Sequence, residues 1–449
     1  MLKEWKSKRQ LSLFVALALS AGGGGLLSDF QSAYAADVTG GNVVVDAGHP
    51  APTPVAAGNA HDIPGATDNR NVTGNKLTIS GETMGIPLYG GYTQGAGDAT
   101  HNEVVFKNGA LANGNVYGGW SANGNATHNT ITLSGTAATW WNAIYHYGGA
   151  SGNPSADVTT GNLLKVTTKD NHVYGITNFE KMQFDLSSGI ASGDTMLQTA
   201  VGQTFDWDNI KVTGLSDWVT YLANHGVNRP TLTLYTGGSL TLNNYRPSLI
   251  GTVGDYEFGK YSNGGGIGTV YANKIFVDGN RFQNATETPT ASAADVHAGI
   301  STYGNTTNHN TLSLQKNGST PLSFTNARAG YTNALNGGSE YNTLNLLDGS
   351  DVTNGYAGYT EGKNLLLHPT DENDPTAVDT TKNADAKNNT VNIKGGKLNW
   401  SGKLYGGYIA TNPSLTPPNN VSAGNASDNT INIEEGTFDG NNEIYGGYT

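Results

Sequence analysis

The feature that most limits the fold is repetition. An Asn followed by an alternating apolar run occurs seven times: NKLTIS at Asn75, NEVVFK at Asn102, NTITLS at Asn129, NTLSLQ at Asn310, NTLNLL at Asn342, NTVNIK at Asn389 and NTINIE at Asn429. Between these lies a second motif, LYGGYT at Leu88, VYGGWS at Val116, LYGGYI at Leu404 and IYGGYT at Ile444. Degenerate copies are IYHYGGA at Ile144, RAGYT at Arg328 and GYAGYT at Gly355. Gly91 and Gly119 are 28 residues apart, as are Gly330 and Gly358, and Asn102 and Asn129 are 27 apart. Self-similarity at this period means stacked structural units.

The alternation fixes the type of unit. In NTITLS, Ile131 and Leu133 point one way and Thr130 and Thr132 the other, over a run too short for a helix. One such strand cannot bury its apolar face alone, whereas stacking each repeat on the next builds a continuous core. In register, Asn102, Asn129, Asn310, Asn342, Asn389 and Asn429 fall above their counterparts and their amides bond along the stack. The pairs Gly90–Gly91, Gly118–Gly119, Gly406–Gly407 and Gly446–Gly447 are expected at sharp corners with positive φ, with Tyr89, Tyr117, Tyr405 and Tyr445 stacked at the turn. The expected fold is all-β, a parallel β-helix (β-solenoid) of ~28-residue repeats. A propeller blade needs ~40–50 residues, too many for this period. Beyond residue 35 the chain holds about fifteen such units, a rod of ~70 Å before insertions are discounted.

Composition agrees with a repetitive β protein. The hydrophobic share is 36% and the charged share 13%, with 62 glycines, too polar for a conventional multi-domain enzyme and too uncharged for a typical disordered chain. A net charge of −12 repels phosphate backbones, so nucleic acid is not an expected partner. The chain has no Cys, which removes disulfides and thiolate metal sites.

The first 35 residues read as an export signal. Lys3, Lys6, Lys8 and Arg9 precede the apolar LSLFVALALSA at Leu11–Ala21, and AYA at Ala33–Ala35 places cleavage between Ala35 and Ala36. The apolar centre is too short to span a bilayer of ~30 Å. Regular repeats follow over 36–150 and 301–449. Residues 151–300 are less regular, with a helix expected in GLSDWVTYLANHG at Gly214–Gly226, capped by Ser216 or Asp217 and covering core with Leu215, Trp218, Val219 and Leu222. Polar insertions at Glu361–Asn388 and Ile409–Gly424 are expected as exposed loops. The last residues, Tyr445–Thr449, form a whole repeat motif where a solenoid needs a cap, so the chain is expected to be truncated at its C-terminus.

An export signal, absent cysteine and Tyr-Gly-Gly-aromatic/Asn-strand repeats together resemble the passenger region of bacterial type V autotransporters, over nearly the whole chain. ITNFEKMQFDL at Ile176–Leu186, followed by SGDTML at Ser192–Leu197, is similar to a segment recurring in such passengers. The resemblance implies a right-handed β-helix carried across the outer membrane through a C-terminal β-barrel, then displayed on the cell surface or released. No successive amphipathic strands of a barrel are present in this chain.

Candidate chemistry is sparse. His101, His128 and His309 each precede a ladder Asn, but Tyr341, Asn388 and Asp428 take that place in other copies, so a continuous metal-ligand column is not expected. Asp206 and Asp208 in TFDWDNI alternate about Trp207 and would share a strand face, paired carboxylates beside an aromatic that suit sugar chemistry. There is no Gly-x-Ser-x-Gly elbow and no Gly-Gly-x-Gly-x-Asp calcium repeat. The expectation is a non-enzymatic adhesin-like rod, without cofactor or metal, whose ligand is a host or bacterial cell surface or a glycan. The alternative is a β-helix polysaccharide lyase or glycoside hydrolase using Asp206 and Asp208.

Overall fold

A computed structural model of the chain describes residues 38–45, 55–60, 69–136, 143–264, 266–333, 337–361, 384–410 and 424–449. The expected export signal and its cleavage site at Ala35 and Ala36, and the insert residues 362–383 and 411–423, lie outside the described residues. The protein is all-β, dominated by parallel sheets.

The regular repeats stack strand on strand into parallel ladders, with two long ladders and a third of short strands that only some repeats join. The Asn-initiated strands Lys76–Ser80, Glu103–Ala112, Thr130–Thr136 and Leu163–Val166 pair in sequence order, Leu77 opposite Val104, Val104 opposite Ile131, and Ile131 opposite Leu164. The Tyr-Gly-Gly strands Leu88–Thr93, Val116–Ser121 and Tyr145–Ser151 form the second ladder, with Tyr89 opposite Tyr117 and Tyr117 opposite Tyr147. Short strands, Val72–Thr73 and Ala99–Thr100 among them, form the third. The same order returns after residue 285: Thr311–Leu314, Thr343–Leu347 and the first half of Thr390–Ala410 in one ladder, Leu322–Thr332, Ser350–Glu361 and the second half of Thr390–Ala410 in another. Parallel pairing between repeats is unlike the antiparallel meander of a propeller blade.

Strand alternation places the core between the ladders. In Thr311–Leu314, Leu312 and Leu314 are fully buried while Thr311 and Ser313 are half-buried. Each inward Leu, Ile or Val contributes roughly 1.5–3 kcal/mol of burial. These side chains form two apolar clusters, one running from Leu77 to Val277 and the other from Ala298 to Leu404.

The corners are not where the glycine pairs are. Gly90, Gly91, Gly118 and Gly119 lie inside strands, and the positive-φ position is the residue before each ladder Asn. Gly74, His101, His128, Gly161, His309, Tyr341, Asn388 and Asp428 all hold φ between 53° and 70° there. The glycine pairs serve a steric need instead. A Cβ on Gly91 would stand 2.4 Å from Asn102 Nδ2, and one on Gly358 would stand 2.3 Å from Asn389 Nδ2. The ladder amide occupies the place of the missing side chain.

Residues 151–300 are more regular in space than in sequence. Parallel pairing continues through Leu163–Val166, Lys181–Asp185 and Ile210–Thr213, and through Asn171–Thr177, Thr195–Val201 and Thr231–Tyr245. The strands Ser248–Val253, Tyr256–Ser262 and Gly268–Arg281 then pair antiparallel and close this stack. The helix spans Leu215–Asn224 and buries Trp218 and Leu222, with Trp218 Nε1 donating to the Ile190 carbonyl at 2.9 Å. Its N-cap is Gly214 at φ 75°, with no side-chain cap from Ser216 or Asp217. A Cβ there would come within 2.6 Å of the Ser187 nitrogen, which excludes the usual capping residues. The two expected loops are also shorter than their sequence suggests: Ala386–Lys387 pairs with Ser339–Glu340, and Ile409–Ala410 belongs to a strand.

Candidate functional site

In each stack an internal column of Asn amides holds the repeats in register, and two rows of aromatic side chains run alongside. Inside, Asn102 Oδ1 accepts from the Asn75 backbone nitrogen (3.1 Å) and Nδ2 (2.9 Å), while Asn102 Nδ2 donates to Asn129 Oδ1 (3.1 Å) and the Val72 carbonyl (2.9 Å). Asn310, Asn342, Asn389 and Asn429 repeat the pattern at 2.8–3.1 Å. All of these amides but that of Asn429, which is half-buried, are buried.

Outside, the tyrosines stack. Tyr89, Tyr117 and Tyr147 form one row with centroids 5.1 and 5.0 Å apart, and Tyr92 lies 4.8 Å from Trp120 beside it. The C-terminal stack carries two rows: Tyr356, Tyr405, Tyr445 at 5.0 and 5.2 Å, and Tyr359, Tyr408, Tyr448 at 5.1 and 5.3 Å. A stacked ring hides the face of its neighbour, and Tyr356, Tyr359 and Tyr405 are buried, so edges and hydroxyls are offered by the half-buried Tyr89, Tyr117, Tyr147, Tyr408 and Tyr445 and the exposed Tyr448. Burial, then the neighbouring Tyr117 and Tyr92, pushes the Tyr89 phenol up to about 12, and burial likewise raises Tyr405. The Tyr89 and Tyr405 hydroxyls therefore stay protonated at neutral pH.

Arg328 is a site residue absent from the sequence candidates. Its register partner is Tyr356, so it fills the tyrosine place in the degenerate copy RAGYT. Its guanidinium lies 4.9 Å from the Tyr331 ring, 5.4 Å from Tyr356 and 4.6 Å from Tyr359, and it pairs with Asp295 at 3.0 Å. Aligning RAGYT with LYGGYT is the signal that finds it.

Asp206 and Asp208 do not share a strand face. Asp206 ends the strand Thr204–Asp206 and caps a single 3₁₀ turn, Trp207–Asn209, that contains Asp208. The turn replaces alternation because Trp207 is drawn into the core, its Nε1 donating to Ser248 Oγ at 3.1 Å. Asp206 accepts from the Asp208 nitrogen (2.9 Å) and Asn244 Nδ2 (2.6 Å), and Asp208 pairs with Arg246 at 3.2 Å. Beneath them Lys260 is buried, 4.4 Å from the Trp207 ring and donating to the Trp207 carbonyl at 2.7 Å and to that of Ile210. Burial brings its ammonium down to about 7, Asp208 pulling the other way. Both carboxylates and the ammonium are thus taken up in fastening the turn. No sequence motif marks Lys260.

The histidines before the ladder Asn stack at the corners. His101 and His128 are 5.0 Å apart and nearly parallel, and His309 stacks on Tyr341 at 5.2 Å. Among the described residues no three His, Asp or Glu side chains converge as metal ligands. His146 sits in an inward column between Val116 and Ile176, buried, its Nδ1 without a hydrogen-bond partner. Burial lowers its pKa to about 4.

Between the two apolar clusters lies a buried polar joint. The Glu257 carboxylate accepts from Ser301 Oγ (3.0 Å), the Thr302 nitrogen (2.6 Å) and Asn305 Nδ2 (2.7 Å), and Tyr303 donates to Asp278. No family model, curated protein or solved structure matches this chain.

Proposed function

We propose that the chain is a right-handed parallel β-helix acting as an exported, non-enzymatic surface rod, the passenger of a type V autotransporter, that attaches to host cells, other bacteria or glycans. The observation that carries this reading is the pair of outward aromatic rows. Each tyrosine row spans three successive repeats, and its half-buried or exposed members, among them Tyr89, Tyr117, Tyr147, Tyr445 and Tyr448, present phenol edges at the repeat spacing, a surface suited to several weak, equivalent contacts rather than to one reacting centre. Solution scattering is expected to give the profile of an elongated particle. Labelled protein is expected to bind cells or a polysaccharide panel without shortening any polymer.

A glycan-cleaving reading draws on the gathering of Asp206, Asp208, Arg246 and Lys260 at one turn. Depolymerisation of any panel member, abolished by Asp206→Asn, would overturn the adhesive reading in its favour. A compact, spherical scattering profile would overturn the β-helix.

A further inference from the structure

Seven tyrosines of the C-terminal stack form one continuous array. Within its two rows the rings are nearly parallel: 4° and 8° for Tyr356–Tyr405–Tyr445, 18° and 2° for Tyr359–Tyr408–Tyr448. The rows also touch edge to face, with centroids 4.9 Å apart for Tyr356–Tyr359, 4.8 Å for Tyr405–Tyr408 and 5.4 Å for Tyr445–Tyr448. Tyr331 joins Tyr359 at 5.4 Å. Because register partners come from parallel strands, Tyr405 faces Tyr445 and Tyr408 faces Tyr448, and the equivalent carbons of each pair are neighbours. The equivalent ortho carbons of each pair are thus held one ring spacing apart, with centroids at 5.2 and 5.3 Å, and a tilt of the two rings about their side-chain torsions brings them into bonding reach.

The charges around the array are lopsided. Arg328 covers the Tyr331, Tyr356 and Tyr359 end and disfavours an electron-deficient ring there. At the other end the Tyr445 hydroxyl donates to Glu443 at 2.9 Å, a carboxylate that also pairs with Lys403. A phenol that loses an electron must shed its proton, and Glu443 is in place to take it. Tyr448 is 43% exposed, giving an oxidant access to that end.

We propose that this array is a site of oxidative modification, in which a peroxide-driven one-electron oxidant couples stacked tyrosines of adjacent repeats into dityrosine, Tyr405 to Tyr445 and Tyr408 to Tyr448. Each of two phenols gives one electron to the oxidant and one proton to a base, Glu443 for Tyr445 and water for the others. The two phenoxyl radicals form a carbon–carbon bond at their ortho positions, and the two displaced ring hydrogens return to the oxygens, restoring the phenols. The two electrons and two protons reduce one hydrogen peroxide to two waters. The product is a covalent rung between repeats in a chain that has no cysteine to supply one.

The test treats the dilute, folded full chain with horseradish peroxidase and hydrogen peroxide, then maps cross-linked peptides by mass. Expected are peptide pairs lacking two hydrogen masses that join the 405 and 445 or the 408 and 448 regions within one chain, with dityrosine fluorescence. Tyr445→Phe should remove the first link and keep the second, and Glu443→Gln should slow the first by about tenfold. Tyr271, 76% exposed and outside both rows, serves as the internal comparison. The proposal is overturned if links involve Tyr271 or join separate chains while the rows remain unlinked. Equal yield from the chain unfolded in urea overturns it as well, because stacking would then contribute nothing.

Discussion

The claim that glycine pairs exist to make room for the ladder amide can be tested at Gly91 and Asn102. The three atoms nearest a Cβ at Gly91 are all in the Asn102 side chain: Nδ2 at 2.4 Å, Cγ at 2.6 Å and Oδ1 at 2.9 Å. Gly91→Ala must therefore expel the amide, which breaks its bonds to Asn75, Val72 and Asn129. Asn102→Ala deletes the same bonds and leaves the Asn75 nitrogen, one Asn75 amide hydrogen and the Val72 carbonyl without those partners in a buried site. At ~1–3 kcal/mol for each orphaned group, either single change should cost about 3–5 kcal/mol. In the double variant the new methyl group enters space that Asn102 has left. Its cost should equal that of Asn102→Ala alone, a coupling equal to the whole cost of Gly91→Ala, about 3–5 kcal/mol against additivity. Repeats open locally, so native-state hydrogen exchange over residues 72–107 is the appropriate measurement. Additivity within ~0.5 kcal/mol would refute the steric account.

Three further outcomes follow from the same geometry. The buried His146 stays neutral down to about pH 4 while its unfolded counterpart protonates near 6.5, so its contribution is intact above 6.5 and stability falls as pH drops from 6.5 to 4. The slope is about 1.4 kcal/mol per pH unit, and His146→Ile, matching its column neighbours, should abolish it in acid titrations of unfolding. At the corner, His101→Gly should change stability by less than ~1 kcal/mol, since Gly74 and Gly161 hold the equivalent place, whereas His101→Val at φ 56° should cost about 1–3 kcal/mol in urea unfolding. Glu257→Ala strips the acceptor from Ser301, Thr302 and Asn305 and should cost about 3–5 kcal/mol, with exchange protection lost first on both sides of the joint, at residues 256–262 and 298–305.

The linear pattern of residues is enough to establish that the chain is built from β-strands and which strands are equivalent. Alternation with period two is a property of a single strand, and a 27–28-residue repeat states which residues are alike, so the columns Asn102–Asn129 and Tyr89–Tyr117 follow from the residues alone. What each place in the repeat has to be is settled in three dimensions. Gly91 is glycine because an amide from a different strand fills its side-chain volume, and the corner falls at His101 because that strand must begin there. Trp207 pulls Asp206 and Asp208 off a common face, the Ser248–Arg281 strands reverse direction to close a stack, and His146 enters an aliphatic column. Each of these depends on an atom contributed by a residue far along the chain, and a linear pattern records the repeat but not the volume its neighbours leave.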